Sequence, residues 1–243
     1  MCTVKQLEGF SLIELLLSLL VLMLLTVIIM QYYCTHSQNY IKTKKSFNNF
    51  YDVVMIIEQM RASIRSAGFT PCVASNLLLS NDCELSLPIQ IINNNQQRLR
   101  ISRMDNNFTI VTSVLANNNI ELDDSLDLHA HDLILITDCM HGELHTIQEV
   151  TNNSKQLLLN KTLFFDYVAP IYIGKWITED FFIQSTKSKH QALYYKYHKA
   201  EILSSNIDQM MVTITQKIKK ILTVDLFKER QKIAHFNVTI RAS

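Results

Sequence analysis

The feature that most constrains the fold is a nearly continuous apolar run from Phe10 to Met30. Its only polar residues are Ser11, Glu14, Ser18 and Thr26. As an α-helix this run would measure about 30 Å, which is the thickness of the hydrocarbon core of a bilayer. The sequence therefore predicts that residues 10–30 form a transmembrane helix near the start of the chain.

Glu14 is the one charged residue in this run. A carboxylate inside hydrocarbon costs about 3 kcal/mol on insertion scales unless a partner neutralises it. Residues 1–9 are short and polar, and no small-residue cleavage site follows Met30, which argues against a secretory signal peptide. We therefore expect an anchor that is retained and a Glu14 that needs a partner.

The helical pattern continues well beyond the apolar run, because no Gly or Pro occurs between Gly9 and Gly68. Apolar residues recur at spacings of three and four, which predicts one buried face of an amphipathic helix over residues 31–67. These positions are Phe47, Phe50, Val54, Ile57, Met60 and Ile64. Gly68 suits the C′ position, and Pro71 follows it as a helix stop.

After Pro71 the period changes to short β-rich runs separated by polar turns. This spacing predicts an antiparallel sheet, whose apolar face the helix would cover. The predicted strands are Ile89–Ile92, Leu99–Ile101, Phe108–Leu115, Leu133–Thr137, Leu144–Val150, Leu157–Leu163, Ile171–Trp176, Phe181–Gln184, Leu193–Tyr197, Met210–Thr215 and His235–Ile240. The predicted class is α+β, with a β-rich domain over residues 68–243.

Charge and cysteine content exclude several classes of function. The formal net charge is +1, which gives no nucleic-acid footprint. The five cysteines form no CxxC pair, so a redox motif or a zinc knuckle is not expected. Outside the cytoplasm, Cys72, Cys83 and Cys139 would be candidates for a disulfide, and the sequence does not choose among the three pairings.

Two clusters invite a chemical interpretation, and we expect a structural role for both. The first could seat a divalent metal, but a solvated hairpin with its polar residues facing outward explains it more simply. Its members are Asp127, His129, His131, Asp132, Asp138, His141, Glu143 and His145. The second, residues 194–198, combines aromatics and cations as single-stranded DNA sites do, but alternating aromatics usually pack a sheet.

Motifs for catalysis do not occur in the sequence. It contains no nucleophile elbow, no P-loop, no H-E-x-x-H and no G-x-G-x-x-G. We therefore expect neither an enzyme nor a bound cofactor or metal.

The segment Gly9-Phe10-Ser11-Leu12-Ile13-Glu14-Leu15 resembles the prepilin signature of type IV pilins and type II secretion pseudopilins. A Gly–Phe border, a Glu at the fifth position from Phe10 and an unbroken apolar segment occur together. Later segments resemble those of PilW-type minor pilins, which are related to J-type pseudopilins, with Pro71 where the family pattern has Gly. These segments are Arg65–Cys72, Asp132–Cys139, Pro170–Gly174, Ala192–Tyr195 and Ala234–Ala242.

The resemblance implies a pilin-like fold and a set of residue roles. Residues 1–9 would be a leader peptide that a prepilin peptidase removes between Gly9 and Phe10. Phe10 would become an N-methylated first residue. Glu14 would pair with the α-amino group of a neighbouring subunit, since two charges in hydrocarbon cost far less together than apart.

The resemblance also implies location and partners. The chain would be a single-pass inner-membrane protein with a periplasmic domain, assembled into a pilus at the cell surface. Its partners would be the prepilin peptidase, other major and minor pilins, the inner-membrane assembly platform and the membrane, without nucleic acid. One departure concerns orientation, because Lys5 is the only basic residue of the leader whereas Lys42, Lys44 and Lys45 lie beyond the run.

Three functions are compatible with the sequence, and the first is the one that we expect. The first is a minor pilin, a structural and assembly subunit at or near the pilus tip. The second is a J-type pseudopilin of a type II secretion system. The third is an uncleaved, membrane-anchored periplasmic binding module.

Overall fold

The computed structural model describes residues 12–94, 96–116, 118–151, 155–186, 190–216 and 220–240. Within them the chain forms one long N-terminal helix and a body of antiparallel strands, which confirms the predicted α+β class. Helix α1 spans Leu12–Arg65. Gly9 and Phe10 lie outside the described residues, so the predicted cleavage site has no structural description.

The chain divides into two compact units, Met1–Asp52 and Val53–Ser243. In the described part of the first unit, residues 12–52 are helix throughout and none of them is buried. The second unit contains the last turns of α1, a short helix α2 and twelve strands among the described residues. Their bounds are α2 Cys83–Ser86, β1 Ile89–Asn94, β2 Gln96–Ala116, β3 Asn119–Leu122, β4 Leu133–Thr137, β5 Gly142–Thr151, β6 Gln156–Leu159, β7 Tyr172–Ser185, β8 Gln191–Lys196, β9 Ala200–Ser204, β10 Gln209–Gln216, β11 Lys220–Lys228 and β12 Gln231–Thr239.

Six of the strands close into a ring. The order is β2, β3, β6, β5, β4 and β7, and β7 pairs back onto β2, with every pairing antiparallel. Closure leaves these strands without an open edge along the ring, and the inward side chains fill its interior. The buried residues of this barrel core are Val111, Ile120, Leu122, Leu126, Leu128, Ile134, Ile136, Ile147, Leu157, Leu159 and Ile173.

A second core lies among the other parts of the body. The first half of β2 and the second half of β7 continue past the barrel and pair with β1 and β8, and β9 extends this layer. A separate sheet of β10, β11 and β12 shares one core with this layer and with the end of α1. The helix contributes Ile56, Met60 and Ile64, all buried.

The helix buries less of its predicted apolar face than we expected. Met60 and Ile64 are buried and Ile57 packs against the same core, as predicted. Phe47, Phe50 and Val54 are exposed instead. The spacing of apolar residues marks a face that is suited to packing, but the described body covers this face only over the last turns of α1.

A bulge in β2 lies where the long strands β2 and β7 pass from the barrel core to the second core. Met104 pairs with Trp176 and Phe108 pairs with Gly174, so three residues of β2 stand opposite Lys175 alone. Extra residues of this kind bend a strand and increase its local twist. At this crossing a Cβ on Gly174 would come within 2.6 Å of the Met104 methyl, so a larger residue would require the buried Met104 side chain to move.

The end of α1 follows the sequence prediction. Gly68 has a φ of 66°, the left-handed conformation that a C′ residue adopts at a helix end. Its backbone N–H donates to the carbonyl of Ser102 on β2 at 2.9 Å. The turn after the helix is thereby fixed to the sheet that the helix covers.

Candidate functional site

The start of α1 combines a carboxylate with an exposed apolar surface. Glu14 lies in the first turn, and the apolar side chains around it are exposed. The helix contains a stretch that is long and apolar enough to cross a membrane, and none of that stretch is buried within the protein. Among the described residues the Glu14 carboxylate has no hydrogen-bond or ion-pair partner.

The hydroxyl groups in this stretch are satisfied within the helix itself. Ser18 Oγ donates to the carbonyl of Leu15 at 2.9 Å, and Thr26 Oγ1 donates to the carbonyl of Met23 at 2.8 Å. In hydrocarbon every polar group must find its partner inside the protein, and these bonds meet that condition. Among residues 12–30, the one polar side chain that still calls for an external partner is therefore Glu14.

The body contains one disulfide, between Cys72 and Cys139. The two Cα atoms are 5.2 Å apart and the residues are 67 positions apart in the chain. The bridge joins the segment after α1 to the turn between β4 and β5. Cys83 and Cys34 carry free, exposed thiols. Of the three pairings that the sequence left open, the structure forms the one between the two family-like segments.

Asp138, next to the bridged Cys139, organises two loops. Its carboxylate accepts hydrogen bonds from the backbone N–H groups of Met140 at 3.0 Å, His141 at 2.7 Å and Val168 at 3.0 Å. Burial alone would raise the pKa of Asp138, but these bonds and the His141 side chain favour the charged form. They hold the pKa at about 2, below the ordinary value of 3.8.

Glu143, on β5, also fixes a loop through hydrogen bonds to its backbone. Its carboxylate accepts the backbone N–H groups of Phe164 at 2.9 Å and Phe165 at 2.8 Å. His145 Nε2 lies 2.8 Å from its other oxygen. Both side chains are buried and point to the barrel side of β5, where burial followed by the Glu143 charge raises the pKa of Tyr167.

The expectation of a solvated hairpin is therefore wrong for Glu143 and His145. The alternation of β5 does place them on one face, but barrel closure makes that face the interior. His129 and His131 precede β4 and do not lie on a strand. Among the described residues no group of three His, Cys, Asp or Glu side chains is arranged to hold a metal ion.

The two carboxylates fix a loop that exposes apolar side chains. In the segment between β6 and β7, Phe165 and Tyr167 are half-buried, whereas Phe164 and Val168 are 71% and 69% exposed. Leu79 and Met140 are exposed beside the disulfide, where Leu79 N–H donates to the Met140 carbonyl at 2.7 Å. We call these four residues the Phe164 patch. Apolar side chains that are exposed on fixed segments are available for contact with other proteins.

The aromatic run of β8 packs the sheet. Tyr195 lies against Phe181 in the second core, with ring centroids 5.1 Å apart. Tyr194 stacks on Phe182 on the other face at 5.7 Å. Arg98 covers the Phe182 ring at 4.5 Å. The geometry matches the sheet-packing interpretation of this run.

A buried polar chain that sequence reasoning missed joins the helix to the sheet. Ser63 Oγ donates to Glu179 Oε2 at 2.5 Å, and Arg103 donates to Glu179 Oε1 at 3.0 Å. Ser63 and Glu179 are buried. A single Ser in a helix and a Glu in a strand gave no sequence signal, because their 116-residue separation is bridged only by the fold.

Comparisons of the chain with known protein families, with curated proteins and with solved structures found no match. The class of the protein therefore follows from its own fold and sequence. It is an α+β protein with one N-terminal helix that could serve as a membrane anchor.

Proposed function

We propose that this chain is a type IV prepilin-like subunit, specifically a PilW-type minor pilin that is cleaved between Gly9 and Phe10 and assembled at or near a pilus tip. The observation that carries the proposal is helix α1. Its first part exposes an apolar surface that holds one carboxylate, and its last turns enter the β-rich body. A subunit that leaves a bilayer for a filament needs both properties in one helix.

Cleavage supplies the partner that Glu14 lacks. Removing residues 1–9 creates an ammonium group on Phe10, four residues before Glu14 and in the same apolar surroundings. Each charge alone is costly in hydrocarbon, and pairing them between neighbouring subunits removes most of that cost. Apolar packing supplies cohesion between neighbouring helices, and the ion pair sets their register.

The body supports the proposal through its disulfide and its exposed patch. The bridge joins Cys72 to Cys139, one from each of two segments that carry the resemblance. The Phe164 patch beside it is held by two buried carboxylates and offers an apolar surface to other subunits. A protein that works by assembly, and not by catalysis, requires surfaces of this kind.

The proposal is tested by replacing Glu14. We expect Glu14→Ala to be cleaved normally but to enter sheared pili at about one tenth of the wild-type level or less, since a lost ion pair in hydrocarbon exceeds about 1.4 kcal/mol. Ser18→Ala, one turn further along the same run, is the matched control and should assemble normally. Normal incorporation of Glu14→Ala would contradict the pairing role. Assembly into a secretion system and not into pili would assign the chain to the pseudopilins.

A further inference from the structure

A cavity of about 690 Å³ opens beside the start of β10. Its volume is in the range of small-ligand and peptide sites. The ends of β2, β7 and β8 form one side, and β10 with the turn between β11 and β12 forms the other. Its lining residues are Gln97, Ile183, Gln191, Asp208, Gln209, Met210, Met211, Glu229 and Arg230.

Strand β10 has a free edge on the side of this cavity. Among the described residues it pairs only with β11. In an antiparallel ladder the backbone groups of alternate residues point to opposite edges. The N–H of Val212 points away from β11 and donates to Gln97 Oε1 at 2.6 Å. A side-chain amide thus occupies the place of a neighbouring strand's carbonyl at this one position.

Met210, two residues earlier, presents its N–H and C=O groups to the same edge by the same alternation. The residue is only 4% exposed, and its N–H and C=O groups make no hydrogen bond to another described residue at this edge. Buried backbone groups are nearly always paired, so this position calls for a partner with one acceptor and one donor. A peptide backbone offers both at the spacing of a strand.

The walls of the cavity fit the same ligand class. Ile183 and Met210 are buried and make an apolar floor. The amides of Gln191 and Gln209 line the rim, which suits neutral groups that donate and accept hydrogen bonds. Asp208 Oδ2 is already engaged by the backbone N–H of Glu229 at 2.6 Å. Acidic and basic residues are both present, so the site does not select an anion or a cation.

We propose that this cavity binds an extended peptide segment of another polypeptide, which pairs with the Met210 backbone as an added strand and places an apolar side chain on Ile183. Strand addition to an open edge obtains its affinity from backbone hydrogen bonds and its selectivity from pockets for alternate side chains. Here Gln97 ends the open edge, so the site takes a short segment and not a full-length strand. The proposal does not depend on pilin assembly.

The test uses full-length protein in detergent micelles with ¹³C-labelled methionine methyl groups. The probe is the acetylated, amidated peptide Thr-Val-Thr-Val-Thr, and its control is the same peptide with both valine amides N-methylated. We expect saturable shifts of the Met210 and Met211 methyls with unchanged Met23, and about tenfold weaker binding of the methylated peptide, as expected for one or two lost hydrogen bonds.

Variants separate the cavity from other surfaces. Gln191→Trp fills the rim and should weaken binding by about tenfold or more. Gln148→Trp, at an exposed position of β5 whose residues do not line the cavity, should bind as wild type does. Equal binding of the two peptides, absence of saturable shifts, or loss of binding in the Gln148→Trp variant alone would each overturn the proposal. Shifts with maltose but not with the peptide would overturn it in favour of a sugar site.

Discussion

The two parts of helix α1 differ in how far the protein itself covers them. Between Leu12 and Asp52 no described side chain is buried, although this stretch contains the most apolar sequence of the chain. Between Val53 and Arg65 the helix is less apolar, yet Ile56, Met60 and Ile64 are buried. Apolar content therefore does not decide what is covered within one subunit. The first part leaves its apolar side chains exposed, and the second packs against its own sheets.

The polar residues of the helix show the same contrast. Ser18 donates to a carbonyl three residues earlier in its own helix. Ser63 donates instead to Glu179 on β7, which also binds Arg103. The hydroxyl group in the first part is satisfied within its own helix. The second part depends on contacts that exist only in the folded body.

The largest expected difference between the two parts comes from shortening one methionine in each of them. Met60→Ala should lower the free energy of unfolding of the body by about 4 kcal/mol, because the removed atoms leave a cavity in a closed core. Met23→Ala, at an exposed position, should change it by less than about 0.5 kcal/mol. Denaturant unfolding of the full chain in micelles, followed by Trp176 fluorescence, measures both. Equal effects would show that the two parts do not differ.

Removing the buried carboxylate that anchors the second part should have the next largest effect. Glu179→Ala leaves Arg103 without its partner in the core and should cost about 3 kcal/mol. Glu58→Ala removes a bond of 2.5 Å to Arg61 on the exposed side of the helix and should cost less than about 1 kcal/mol. The same unfolding assay applies. A cost for Glu58→Ala as large as that for Glu179→Ala would refute the role of burial.

Acid should weaken the body and leave the exposed part of the helix unchanged. The pKa of Asp138 is lowered to about 2, so its stabilising effect is complete above its ordinary value of 3.8 and is lost as the pH falls through about 2. The loss amounts to about 2 kcal/mol. Unfolding of wild type and Asp138→Asn, measured between pH 5 and pH 2, should differ most at pH 5 and converge towards pH 2. A difference that does not depend on pH would contradict the assignment.

The smallest effect is expected at the boundary between the two parts. Phe47 lies on the predicted apolar face but is exposed. Phe47→Ser should change the unfolding free energy of the body by less than about 0.5 kcal/mol, while its incorporation into pili should fall if neighbouring subunits cover this face. Thermal unfolding together with the amount of subunit in sheared pili would separate the two contributions. A large loss of stability would place Phe47 with the second part.

The sequence correctly predicted elements that are determined by residues close together in the chain. The end of the helix at Gly68 and the strand Leu133–Thr137 occur where the sequence placed them. Strands β2 and β7 were each predicted as two pieces, because polar residues at the bulge and at Glu179–Asp180 resembled turns. Strands β3, β9 and β11 were missed, although β11 alternates buried Leu222, Val224 and Leu226 with less buried residues, a pattern of period two that the sequence does contain.

The site residues show which features could be predicted from the sequence and which required the fold. Alternation placed Glu143 and His145 on one face, but only barrel closure determines that the face is buried. The three candidate cysteines could be named from the sequence, whereas the pairing of Cys72 with Cys139 requires the fold. Glu14 could be recognised because an isolated charge in an apolar run is a local feature.

The mass of the mature N-terminus tests the central claim most directly. The full chain is co-expressed with a prepilin peptidase, purified from membranes and measured intact and as its N-terminal peptide. Our account predicts that the mature chain starts at Phe10, which becomes methylated when the peptidase also transfers methyl groups. A chain that retains Met1, or that starts at any other residue, would contradict it.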